Sequence, residues 1–159
     1  MNRMKVTNYL YYTTFDKGIL YQINSYYSFY QYNKNNDIYR YGSKQRQYVK
    51  KHYGYTNLVE DHHIIPKEFK SHSFIRDIGF DVHCSRNIRI MPNEYGFEKL
   101  ELPENALLHH NGHIHYNRYV KHNLDELYVT TNNDKSKYKF LLFFWHLESQ
   151  LNYKGELPW

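Results

Sequence analysis

The chain has 159 residues with 19 Tyr and 9 Phe against 7 Gly and 4 Pro, and it is 41% hydrophobic and 23% charged. Those proportions exclude a disordered tail and a low-complexity fibre, and they point to one compact domain. The net charge of +5 is uneven: residues 1–58 carry nine Lys/Arg against two Asp, a net +7, and residues 59–159 carry twelve against fourteen acids, a net −2.

In chain order, Leu20, Ile23, Tyr27 and Tyr30 at spacings of three and four predict an amphipathic helix over Lys17 to Tyr32. A second helix is predicted from Asp37 to Tyr53, with Ile38, Tyr41, Tyr48 and Val49 on one side, Asp37 as N-cap and Gly54 as the stop. It carries Arg40, Lys44, Arg46, Lys50 and Lys51 interleaved with Tyr41 and Tyr48. Cations mixed with rings suit a polyanion, and they equally describe a solvated helix face. Leu58 to Pro66 is short and β-branched and reads as a strand, followed by a loop to Arg86. Asn87 to Ile90 alternates polar and apolar and is closed by Met91-Pro92-Asn93, a second strand. Glu94 to Asn105, with Gly96 and Pro103, reads as loop. Ala106 to Tyr128 is predicted helical from Tyr116, Val120, Leu124 and Leu127, with Asn111-Gly112 either breaking or starting it. Tyr138 to Leu151 is the last helix, packing Leu141, Phe144, Leu147 and Leu151 on the core. The apolar run Phe140 to Trp145 belongs to that core, because six residues fall far short of the about 20 that a bilayer helix needs. No apolar leader follows Met1, so the expectation is an intracellular protein without a membrane segment. The single Cys84 makes no internal disulfide and no cysteine zinc site, and a small packed role suits it.

Nine of the eleven His lie between His62 and His122. An AT-rich genome inflates Tyr and Asn but not His to the same degree, so the histidines need another explanation. Adjacent pairs and spacings of four also arise by chance in so His-rich a chain; the argument rests on their order and surroundings. Asp61-His-His-Ile-Ile-Pro66 on a strand, Ser85-Arg-Asn-Ile-Arg-Ile-Met-Pro92 on a second, and Leu108-His-His-Asn-Gly-His-Ile-His-Tyr-Asn117 opening a helix follow in that order. Together they resemble the HNH, or ββα-metal, endonuclease superfamily, and within it the branch named for an Ala-His-His motif. The resemblance covers about Glu60 to Leu127, and Asp61 stands where that branch often has Ala.

The resemblance implies an α+β fold, a ββα-metal core flanked by N- and C-terminal helices, with a basic Tyr-rich extension over 1–58 and the nuclease domain over 59–159. It implies a metal-dependent endonuclease that hydrolyses DNA and leaves 5′-phosphate and 3′-hydroxyl ends. Such a site needs one divalent ion on the phosphate and the leaving 3′ oxygen, and a neutral imidazole to take a proton from the attacking water. Adjacent strand residues point to opposite faces, so His62 and His63 do not easily bind one ion. By resemblance His62 is a metal ligand and His63 the general base, a role an imidazole titrating near about 6.5 can fill at neutral pH. His109 and His113, four apart on a helix, would complete the ligand set, with His110 the alternative to His109 if Gly112 delays the helix. Asn87 would act from the second strand, bonding the backbone around His63 and orienting its ring. Three imidazoles suit Zn or Ni, and the family also works with Mg or Mn, which leaves the ion open.

Other residues carry plainer readings. His72 and His83, like His52, His115, His122 and His146, read as surface or packing residues, and Tyr116 as core. Arg89 reads either as a phosphate contact or as a solvated or ion-paired surface residue. DNA is the expected partner, with RNA the alternative, and an inhibitor protein is expected only if the chain is a toxin module. The branch often supplies toxin modules at the end of long secreted chains; standalone viral or mobile-element nucleases fit this chain better. A rival of another class is a non-catalytic nucleic-acid-binding module, with a structural zinc closed by His62, His109, His113 and a fourth ligand such as His110.

Overall fold

The computed structural model describes residues 37–102, 107–109, 113–130, 133–152 and 158. The helix expected over Lys17 to Tyr32, and His110, Asn111 and Gly112, lie outside the described residues. The elements run α1 (Lys44–His52), β1 (Val59–His63), a 3-10 helix (Lys67–Ser71), α2 (Ser73–Asp77), a 3-10 turn (Ser85–Asn87), β2 (Ile88–Pro92), α3 (Glu94–Lys99), α4 (Ile114–Thr130) and α5 (Asn133–Asn152). β1 and β2 form a two-stranded antiparallel sheet, and with the helices this makes the expected α+β fold. Among the described residues, no helix is long and apolar enough to cross a membrane.

The chain divides into two compact units, Met1–His62 with His83–His110, and His63–Val82 with Asn111–Trp159. In the first, Tyr39, Tyr55, Val59, Ile90 and Leu102 form the core, with Val49, Leu58, Phe97 and Leu100 packed on it. α1 begins seven residues later than Asp37, because Ser43 caps it, accepting from the Arg46 N–H. Asp37 is buried instead and accepts from the N–H groups of Tyr39 and Ser85, the latter at 2.6 Å. Burial pushes its carboxyl above the ordinary range, against the lowering pull of those bonds. Gly54, just past the end of α1, has φ +72, the left-handed stop its position suggested.

α3 occupies part of the predicted loop. Asn93 caps it by accepting from the Gly96 N–H at 2.8 Å, and the Asn93 N–H donates to the Leu58 carbonyl. A Cβ on Gly96 would collide with that same Leu58 carbonyl, so Gly96 serves a close approach of helix to backbone inside a helix.

In the second unit α2 packs on α4, and α4 on α5. α4 buries Tyr116, Val120 and Leu124 along one stripe, with Leu127 half-buried at its end. α5 buries Phe140, Phe144, Leu147 and Leu151; the stripe starts at Phe140, and the predicted Leu141 is half-buried beside it. Phe80 packs edge-on against both Phe140 and Phe144, with centroids at 4.8 and 5.9 Å. α2 lies within the segment predicted as loop. Its N-cap is His72, whose Nδ1 accepts from the Phe74 N–H while Nε2 meets Asp125 Oδ1 on α4 at 2.9 Å. That contact gives His72 a structural place beyond packing.

Tyr116 has no exposed surface and donates its hydroxyl to the Ile64 carbonyl, directly after β1. Tyr116→Phe removes the donor and keeps the ring. It is expected to lower stability by about 1–2 kcal/mol, read as a reduced urea midpoint at unchanged slope.

Candidate metal centre

β1 places Glu60, His62 and His63 in sequence, with both imidazoles buried. Residues two apart on a strand share a face, so Glu60 and His62 point the same way. His109 lies before α4 rather than on it. Its N–H donates to the Pro92 carbonyl at 2.7 Å, which pins this segment to the end of β2. Its ring stands 5.6 Å from the ring of His62, edge to face, and its Nδ1 lies 3.0 Å from Glu60 Oε2.

His113 directly precedes α4, and its carbonyl accepts from the Asn117 N–H as the first turn forms. Its ring lies 6.5 Å from Tyr116. The expectation of one helix carrying both His109 and His113 is therefore corrected, since α4 opens only at Ile114. Both histidines lie outside that helix.

The ligand nitrogens of His62, His109 and His113 nonetheless lie within 4.8 Å of one another. Three imidazoles at that separation are a donor set for a divalent transition ion. The group takes in His62 and leaves out its neighbour His63. Asn87 is buried, but it closes the 3-10 turn Ser85–Asn87 rather than opening the strand; β2 starts at Ile88. Arg89 is 2% exposed, which corrects the reading of a solvated surface residue.

Two neighbours of the site escaped the sequence reading. Glu60 had a signal, its spacing of two from His62 on a strand. Arg46 had none, because it looked like one cation among five on a polar helix. It is the only buried residue of α1. Its Nε donates to Asp61 Oδ1 at 2.9 Å, Nη1 to the Tyr39 carbonyl and Nη2 to the Ile88 carbonyl, both at 3.2 Å. Lys50, one turn on, reaches the same Asp61 oxygen at 3.0 Å. Burial raises the Asp61 carboxyl, but the pull of Arg46 and Lys50 outweighs it and holds the group below the usual carboxylate range. The one residue that departs from Ala-His-His thus has two partners of its own.

A family model described as a nuclease family of the HNH/ENDO VII superfamily with conserved AHH matches residues 43–141. No curated protein and no solved structure matches the chain. Nucleases of that superfamily generally use a divalent metal ion, which the convergent histidines fit. With well over half its length matched and a histidine cluster beside the doublet, the chain is a nuclease acting on nucleic acid and belongs to the AHH family.

Proposed function

We propose that this nuclease is a metal-dependent DNA endonuclease in which His62, His109 and His113 hold one divalent ion and His63 is the general base. The observation that carries the reading is the convergence of those three imidazoles immediately beside a further buried histidine. A site that only needed a structural ion would have no use for the fourth ring. A divalent ion held there would stabilise charge on the phosphate and on the leaving 3′ oxygen.

The neutral His63 imidazole accepts a proton from water as the water oxygen bonds to phosphorus. The bond from phosphorus to the 3′ oxygen breaks, which gives 5′-phosphate and 3′-hydroxyl ends once that oxygen is protonated. Glu60, whose Oε2 lies 3.0 Å from His109 Nδ1, sets a carboxylate beside the ligand group. Asn87, buried beside the first residue of β2, serves as the positioning group for His63. The donor set accepts Zn or Ni, while Mg and Mn suit phosphodiester chemistry as hard, exchangeable ions.

The test is a gel assay on supercoiled plasmid with EDTA, and then with Mg, Mn, Ni or Zn supplied in turn. Nicked or linear product with at least one metal and none in EDTA is the expected result. Undiminished cutting in EDTA would refute the metal's role. Cleavage of RNA with plasmid left intact would replace the DNA substrate by the RNA one.

A further inference from the structure

We infer that the outer face of α1 is a docking surface for the phosphate backbone of duplex DNA, with Lys44 and Lys51 as the phosphate contacts and Tyr48 as the plate between them. The inference rests on the DNA reading above and adds the residues that hold the substrate. Lys44, Tyr48 and Lys51 sit at positions i, i+4 and i+7, one stripe on the side of the helix away from the buried Arg46. Both lysines are exposed and Tyr48 is 66% exposed. The Tyr48 ring stacks on His52 at 5.7 Å and 20°, which holds an aromatic face upright in solvent.

Charge placement argues that this stripe is more than a solvated face. Cations stabilise a helix at its C-terminal end, where Lys50, Lys51 and His52 lie, and are disfavoured at the N-terminal end. Lys44 opens the helix, with no acidic residue in the first turn and none anywhere in α1. Helix stability gives no reason for it, whereas a polyanion does. Lys50 stands apart from the stripe, engaged on Asp61 at 3.0 Å. Seven residues of helix separate Lys44 from Lys51 by about 10 Å, close to the axial rise over three phosphate-to-phosphate steps of one strand at about 3.4 Å each. Arg46, clamped to Asp61, Tyr39 and Ile88, fixes α1 to the strand that carries His62. The stripe is therefore held in register with that strand.

The test measures binding of a short labelled duplex by the His63→Ala protein, so that cleavage does not intervene, across about 50–200 mM salt. Lys44→Ala/Lys51→Ala is expected to weaken binding at low salt and to reduce the slope of log affinity against log salt by about 1.8, two contacts at about 0.9 each. Lys67→Ala/Lys70→Ala, which removes the same charge from an exposed turn elsewhere, is expected to leave the slope as it is. An unchanged slope in the first pair, an equal fall in both pairs, or a parent without affinity for duplex would overturn the inference. Because the readout is binding, a protein that binds in this way and does not cut plasmid refutes the endonuclease reading alone.

Discussion

His63→Ala is expected to reduce plasmid cleavage by about 10²–10⁴-fold, the usual contribution of a positioned general base, while metal affinity stays at the parent value. The division follows from the strand: His62 belongs to the convergent group and His63, one residue on, does not. Removing His62, the proposed ligand, is expected to lose the ion and the activity together, so metal titration alongside the cleavage assay separates the two roles. His63 is a buried side chain, and its truncation also removes packing. His63→Gln, which keeps volume and hydrogen bonding but is no base at neutral pH, guards against reading a folding defect as lost chemistry. If either variant cuts at the parental rate with the ion bound, the base must be sought elsewhere.

The residues that the proposed chemistry needs are legible along the chain because residue type and order are visible there. His62, His63 and Asn87 are singled out by their neighbours in the sequence, and the helices α4 and α5 by stripes such as Tyr116, Val120 and Leu124. What could not be read was set by partners distant in sequence. Asp37 resembled a helix cap, yet its carboxylate serves Ser85, 48 residues away, and the helix starts from Ser43 instead. α2 is five residues long and capped by a histidine, outside the Ser, Thr, Asp and Asn preference that marks a helix start. α3 was hidden by Gly96, which in sequence signals a loop and in the fold admits the Leu58 backbone. The spacing of His109 and His113 suggested one helix, yet the His109 N–H donates to the Pro92 carbonyl and α4 opens only at Ile114.

Arg46→Met is expected to destabilise the fold by about 3–5 kcal/mol at neutral pH, the range for breaking one partner out of a buried pair. The side chains of Arg46 and Asp61 are 2% and 12% exposed, so the carboxylate left behind is poorly reached by water and keeps only Lys50. The Tyr39 and Ile88 carbonyls lose their donor as well. The pH dependence gives the mechanism away. In the parent, Asp61 titrates below its unfolded value near 3.9, so its stabilising contribution is complete above that value and is lost as pH falls through the folded value. In the variant the burial that raises the carboxyl loses its main opponent, and protonation relieves the stranded charge. The gap between parent and variant should therefore be widest at neutral pH and narrow as the pH drops towards about 4. Asp61→Ala in the Arg46→Met background, which recreates the family's Ala-His-His, should regain much of the loss, because deleting both partners of a buried pair is often close to neutral. Urea unfolding of the parent, both singles and the double at two pH values closes the cycle. A gap that does not change with pH, or a double variant no more stable than Arg46→Met, would mean that Arg46 acts through its backbone contacts and not through Asp61.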